Sequence, residues 1–227
     1  MNIKELIVYE DENIIALNKP SGILVIPDRF DKNRENLYDA LKEVYEDVYV
    51  IHRIDRGTSG IILFAKNSDV HRNLSMLWEK GKVRKTYYAL VHGKFFRKRG
   101  RINSPIGRLK KKKGIMTIDR KNGKKSITEY EVIKTIKNFS FLEITPHTGR
   151  THQIRVHLAS IGHPVAGDVL YNRIEATGKE TFTDDCSRLC LHAYSIEFFY
   201  EAAGKKIQIT APLPEEILRY VKEAGLK

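Results

Sequence analysis

Two periodicities alternate along the chain. Short apolar runs bounded by Gly, Pro, Asn and Asp read as strands, and apolar residues recurring at three and four read as one face of a helix. Residues 7–9 and 14–17, separated by Glu10-Asp11-Glu12-Asn13, predict an opening β-hairpin. After Lys19-Pro20-Ser21-Gly22, residues 23–26 read as a strand and 27–35 as a polar loop. Asn36 caps a predicted helix with Leu37, Ala40, Leu41, Val44 and Val48 on one face, and Tyr38 and Tyr45 read as packing. The unbroken apolar run 61–65 predicts a buried strand, and Ser68 or Asp69 caps a helix carrying Leu74, Leu77 and Trp78. A strand at 86–91 leads into a basic stretch, 97–125, broken at Asn103-Ser104-Pro105 and Gly107. Its Lys110 to Lys113 run, closed by Gly114, reads as a loop tip.

Residues 126–136 alternate in strand fashion and pair with 139–144 across Lys137-Asn138. Thr151 caps a further helix with Ile154, Leu158 and Ile161 on one face, stopped by Gly162 before Pro164. Residues 167–186 read as loop, 190–199 and 207–209 as strands, and 214–224 as a closing helix with Ile217, Leu218 and Val221 inward. Strands outnumber helices and come in hairpin runs. The fold class is therefore α+β, a mainly antiparallel mixed sheet with flanking helices. One domain is expected over residues 1–227, with a basic excursion at 97–125 and no internal repeat.

Composition adds three bounds. With 227 residues, 41% of them hydrophobic, the chain can bury a substantial core. Two cysteines, Cys186 and Cys190, are too few for a disulfide framework and point to a reducing compartment. The N-terminus lacks a basic-then-apolar leader and no apolar run approaches about 18 residues, so a cytoplasmic protein is expected. The net charge is +12, and all of it sits in residues 97–125, where 13 residues are Lys or Arg and only Asp119 is acidic. Such a local excess reads either as a solvated loop or as a contact for a polyanion, above all nucleic acid.

Two stretches carry candidate chemistry. His52-Arg53-Ile54-Asp55-Arg56-Gly57-Thr58-Ser59-Gly60 sets a carboxylate between two arginines, ahead of the buried run. Flanking cations hold a carboxylate ionised, which suits a nucleophile or base; the same residues also suit a surface ion pair beside a turn. The second stretch is Pro146 to Leu158. Its His147, His152 and His157 recur every five residues, a spacing that converges on one ion neither on a helix nor on a strand, so no metal site is expected. Gly57-Thr58-Ser59-Gly60 is not a Gly-x-Ser-x-Gly elbow, and no glycine-rich stretch matches a phosphate loop or dinucleotide fingerprint, so no nucleotide cofactor is implied. Asp55, Tyr87 and Arg155 remain as the chemistry-capable set.

These stretches resemble the RluA-type pseudouridine synthases. His52 to Gly60 resembles their His-Arg-Leu-Asp-x-x-Thr-Ser-Gly motif, with Ile54 in place of Leu. Lys85-Thr86-Tyr87 is similar to their Lys-x-Tyr strand. Thr148-Gly149-Arg150-Thr151-His152-Gln153-Ile154-Arg155 matches their Thr-Gly-Arg-x-His-Gln-Ile-Arg motif, and Gly162-His163-Pro164 with Gly167-Asp168 continues it. Asn18-Lys19-Pro20-Ser21-Gly22 resembles their usual entry, so the likeness spans nearly the whole chain.

The resemblance implies isomerisation of uridine to pseudouridine in structured RNA, ribosomal or transfer, with no cofactor or metal; nothing in the sequence suggests an obligate oligomer, so a monomer is expected. It makes Asp55 the catalytic aspartate, Tyr87 the residue that packs on the base, Arg155 the arginine paired with the aspartate, and Arg53 the one that enters the stack when the target flips. Lys85, Arg150, His152 and Lys110, Lys111, Lys112 and Lys113 are expected to bind RNA. The family's separate small N-terminal RNA-binding domain is expected to be absent, and the 97–125 segment to take over part of its work. Two other functions compete: an RNA-binding or ribosome-assembly factor without turnover, and a base-excising enzyme.

Overall fold

The computed structural model describes residues 1–110, 112, 114–172 and 186–223. These residues fall into two compact units, Met1–Lys85 with Ala193–Leu213, and Thr86–His192 with Pro214–Lys227. All the strand pairings described below are antiparallel, as the hairpin-rich sequence predicts.

The first unit opens with a tight turn at Ile3–Leu6, followed by the hairpin of β1 (Ile7–Glu10) and β2 (Ile14–Lys19). Asp11 fastens its turn. One carboxylate oxygen accepts the Asn13 and Ile14 N–H groups, and the other accepts the Tyr9 and Tyr200 hydroxyls. Burial opposes that charge, but the four hydrogen bonds outweigh it and hold the carboxyl below its ordinary pKa.

Residues 23–26 do not form the expected strand. The Leu24 and Val25 carbonyls instead accept the first N–H groups of helix α1 (Leu37–Lys42), and only a bridge to Asn36 remains. Asn36 caps α1 as expected, accepting the Asp39 N–H at 2.9 Å. The helix is shorter than its pattern suggested: Val44 is exposed and Val48 is buried from a loop.

After β3 (Tyr49–Val50) comes β4 (Ser59–Ala65), which is buried along its whole length. Cover on both faces leaves no polar positions to alternate with, hence the continuous apolar run. Helix α2 (Ser68–Glu79) is capped by Asn67, one residue earlier than expected, because the Asn67 side chain reaches the Val70 N–H at 2.9 Å. Ile15, Leu17, Leu37, Leu41, Ile62 and Phe64 form this unit's core.

In the second unit, β5 (Arg84–His92), β10 (Phe139–Pro146), β9 (Ile127–Ile136) and β6 (Arg99–Asn103) lie side by side in that order. The basic stretch is not a simple loop. It supplies the edge strand β6 and a two-stranded hairpin, β7 (Ile106–Arg108) and β8 (Met116–Ile118). Helix α3 (Gln153–Ser160) follows. Its N-cap is His152, held in the left-handed region at φ 54°, rather than Thr151. Ile161, expected on the inner face, is partly exposed.

The chain then re-enters the first unit as β11 (Leu191–Tyr200) and β12 (Lys205–Thr210), which pair with each other. A Cβ on Gly60, which sits at φ +109°, would strike the Ala193 carbonyl oxygen, so only glycine fits where β4 runs beside β11. Helix α4 (Glu215–Glu223) belongs to the second unit and buries Ile217 and Val221. Residues 173–185 of the expected 167–186 loop, and Ala224, lie outside the described residues. Among the described residues no helix is long and apolar enough to cross a membrane.

Candidate active site

In the first unit the Asp55 loop is fastened at several points. Lys19 is wholly buried, and its ammonium donates to the carbonyls of Pro20, Ile23 and Arg56 at 2.9, 2.7 and 3.0 Å. The Ser21 hydroxyl donates to the Gly57 carbonyl, and the Gly22 N–H to that of Arg56. The Thr58 N–H closes a turn onto the Asp55 carbonyl at 3.1 Å. The loop's backbone is thus held from outside, with Arg53 and Arg56 exposed and Asp55 half-buried.

His52 anchors the loop's other end. Its ring stacks on Trp78 with centroids 4.6 Å apart, and its Nε2 accepts the Leu63 N–H at 3.1 Å, which leaves the ring proton on Nδ1. Burial, with the nearby Lys85 charge adding to it, lowers its pKa to about 3, so the imidazole is neutral. Lys85 is half-buried, and burial lowers its pKa as well.

In the second unit Tyr87 sits on β5 opposite Ile144 and is half-buried. Arg155 lies on α3 and is buried. Its Nε and Nη2 donate to the two oxygens of Asp168 at 2.7 and 2.8 Å, a bidentate pair in which Asp168 is also buried. Asp168 Oδ1 accepts the N–H groups of Leu170 and Tyr171 as well, so the carboxylate that orients the guanidinium is itself held by the backbone.

Tyr171 connects this pair to the basic hairpin. The Arg155 guanidinium carbon lies 5.1 Å from the centre of its ring. Its hydroxyl accepts the Met116 N–H of β8 at 2.9 Å and, having its own proton to give, donates to His152 Nδ1 at 2.8 Å. Ile106, Val156 and Tyr171 form a small core beneath the hairpin, with Ile115, Met116 and Ile118 packed against it.

Gln153 holds the turn before α3 closed. Its side-chain oxygen accepts from the Thr148 hydroxyl and the Arg150 N–H, while its amide donates to the Ile127 carbonyl and the Thr128 hydroxyl. Arg150 is exposed, with Nε on the Lys125 carbonyl. The three regularly spaced histidines share no partner. His147 meets Glu129, His152 meets Tyr171, and His157 meets Thr128 and Ser104, with burial lowering the pKa of His157.

The charge of the 97–125 stretch is not all available to a partner. Strand register sets Arg99 opposite Glu131 and Arg101 opposite Glu129. Lys98 and Arg99 share Glu131, and Arg101 faces Glu129. Apart from exposed Arg97, the excess therefore concentrates on the hairpin and its flanks, at Arg108, Lys110, Lys112, Arg120, Lys121, Lys124 and Lys125. The hairpin tip is closed by hydrogen bonds from Leu109 to Ile115 and from Lys112 to Leu109. Lys111 and Lys113 lie outside the described residues. An open depression of about 410 Å³ over β6, β9 and β10 is lined by these ion pairs and by none of Asp55, Tyr87 or Arg155.

Lys19, Asp168 and Tyr171 were not singled out as functional from the sequence. Lys19 and Asp168 fall inside motifs noted there, but Tyr171 gave no signal, since its partners are a distant backbone N–H and a histidine 19 residues away.

The sequence profile of a family described as RNA pseudouridylate synthase matches residues 13–160. The chain is 38% identical over 199 residues to the dual-specificity RNA pseudouridine synthase RluA of Vibrio cholerae, covering 86% of this chain and 77% of that one. It is 33% identical to tRNA pseudouridine synthase C of Haemophilus ducreyi, covering 92% and 91%. Among solved structures, human RNA pseudouridylate synthase domain containing 1 superposes with a TM-score of 0.75 at 27% identity, over 92% of this chain and 83% of that one.

Proposed function

The chain belongs to the RNA pseudouridine synthases of the RluA type, enzymes that isomerise uridine, and on that footing we propose that it modifies particular uridines of ribosomal or transfer RNA. In the reaction the N1–C1′ bond of one uridine breaks, the freed uracil turns, and its C5 joins C1′. C5 gives up a proton and N1 takes one, so the atoms balance without a co-reactant.

We assign the roles residue by residue. Asp55 acts as the nucleophile at the sugar or at its elimination product. Tyr87 packs on the base and moves a proton. Arg155 supplies a guanidinium whose orientation Asp168 holds. A glycosidic bond inside a duplex is out of reach of a carboxylate, so the target flips out and exposed Arg53 enters the vacated stack. Lys85, Arg150, His152 and the hairpin cations Lys110 and Lys112 bind the RNA, by phosphate contacts that position it without reading sequence. The protein works as a monomer in the cytoplasm, a reducing setting that fits Cys186 and Cys190 as thiols rather than a disulfide.

The observation that carries this reading is the tie from buried Lys19 to the Arg56 carbonyl of the Asp55 loop, where a carboxylate stands between two exposed arginines. The test is tritium release from RNA labelled at uridine C5, for wild type and Asp55→Ala, on transfer RNA and on large-subunit ribosomal RNA separately. The expected result is release that the substitution abolishes while RNA binding persists. Binding without release from either pool would favour an assembly factor, and free uracil with an abasic RNA would favour base excision.

A further inference from the structure

We propose a second RNA-binding site in the second unit, centred on Phe96, which stacks on an unpaired base of the same RNA at a distance from the reacting uridine. It rests on the reading of the chain as an enzyme of RNA. Phe96 lies in the connection between β5 and β6, and its side chain is fully exposed, at 101% of its reference area. A large apolar side chain left wholly in water forgoes the burial that its neighbours obtain.

The connection that carries it is well anchored. The ring of Phe95 stacks on His163, centroids 3.8 Å apart and 20° from parallel, and meets Tyr130 at 4.9 Å. The Gly93 N–H donates to the Asn138 carbonyl at 2.6 Å, the Ser140 hydroxyl donates to the Gly93 carbonyl at 2.8 Å, and the Val132 N–H donates to the Lys98 carbonyl at 2.7 Å. Gly93 itself sits at φ +84°, with the His163 ring 2.9 Å from where a Cβ would stand. One phenylalanine is seated and the next is presented.

The charge around Phe96 selects the occupant. Lys94, Arg97, Lys98 and Arg99 are exposed beside it, and Lys137 is exposed on the adjoining turn between β9 and β10. One carboxylate, Glu131, meets Arg99 at 3.0 Å and Lys98 at 3.7 Å. An exposed ring among excess cations matches single-stranded nucleic acid, where the ring takes a base and the cations take the flanking phosphates.

The site is also set well apart from the candidate chemistry. On β5, Tyr87 pairs with Ile144 and His92 with Phe139. The five steps from Tyr87 to His92 span roughly 17 Å, and Phe96 lies beyond them. A substrate reaching both places must extend several nucleotides from the target.

Phe96→Ala removes nothing from the core, so the test is free of folding artefacts. Binding to transfer RNA and to ribosomal RNA is measured by filter retention for wild type, Phe96→Ala and Phe96→Trp, with tritium release at saturating RNA. The expected result is affinity weakened about 5- to 150-fold in Phe96→Ala, the range for loss of one stacked base, with kcat unchanged. Phe96→Trp keeps wild-type affinity, and RNA quenches its added emission over that of Trp78.

Phe96→Ala affinity within twofold of wild type on both RNAs, or an emission that RNA leaves unchanged, overturns the proposal. So does quenching by anionic phospholipid vesicles but not by RNA, which would make Phe96 a membrane contact. Absence of tritium release with the affinity loss intact would sink the synthase reading and leave this site standing. Normal release with no affinity loss would do the reverse.

Discussion

His52 makes the anchorage of the Asp55 loop sensitive to acid, by an amount that follows from its surroundings. Its pKa falls from 6.5 to about 3 because burial against Trp78 disfavours the charged ring, with the Lys85 charge adding to it. The unfolded chain takes up this proton near pH 6.5, whereas the folded chain refuses it until about pH 3. The stability is therefore present in full above pH 6.5 and is lost as pH falls through that window, with a slope approaching about 1.4 kcal/mol per pH unit. At pH 5 the loss relative to pH 7.5 is about 2 kcal/mol.

His52→Gln removes the titration and keeps an acceptor for the Leu63 N–H. Urea unfolding of both proteins at pH 7.5, 6.5, 5.5 and 5 isolates the effect, since every other titrating group is common to both. The single tryptophan, Trp78, is the natural probe because it is the ring His52 stacks on. The gap between wild type and variant should move by about 2 kcal/mol in the variant's favour between pH 7.5 and 5. A gap constant to within about 0.5 kcal/mol would refute the reasoning and place the imidazole in an environment that tolerates its charge.

Three more expectations follow from the site. Lys19→Met leaves three carbonyls without their charged donor, which should lower the unfolding free energy by about 3 kcal/mol in chemical denaturation and depress kcat more than RNA affinity. Asp168→Asn removes from buried Arg155 the carboxylate that grips it bidentately, a loss of up to about 3–5 kcal/mol that appears as a fall in Tm of about 10 °C. Replacing Lys110 and Lys112 with Gln should make the plot of log Kd against log salt shallower by about 1.5, and an unchanged slope would mean that the hairpin tip does not touch phosphate.

Much of the fold was legible wherever one local signal decides the outcome. The continuous apolar run of β4 could only be a strand covered on both faces, and Asn36 could cap only the helix directly after it. The misreadings share a different cause, partners far along the chain. β6 looked like a charged loop because its two arginines hid the pattern, and the acids they face across the sheet lie about 30 residues on. The strand expected at 23–26 was lost because its carbonyls serve as landing points for α1.

The candidate site divides in the same way. The chemical types in residues 52–60 and 148–155 were visible at once. That Arg155 would be gripped by Asp168, or that Lys19 would be sealed beneath the loop, depends on pairings 13 and 37 residues apart that no local pattern encodes.

The seat of the basic hairpin has a consequence for how such an enzyme diversifies. Tyr171 grips β8 through the amide of Met116, a group present whatever side chain stands there, while its ring stays against Arg155. Substitutions along the tip can therefore accumulate without reaching the helix that carries the guanidinium. The surface of the hairpin and the setting of the guanidinium can drift separately, and a hairpin transplanted from a relative should fold in place provided that the tyrosine and its amide partner travel with it.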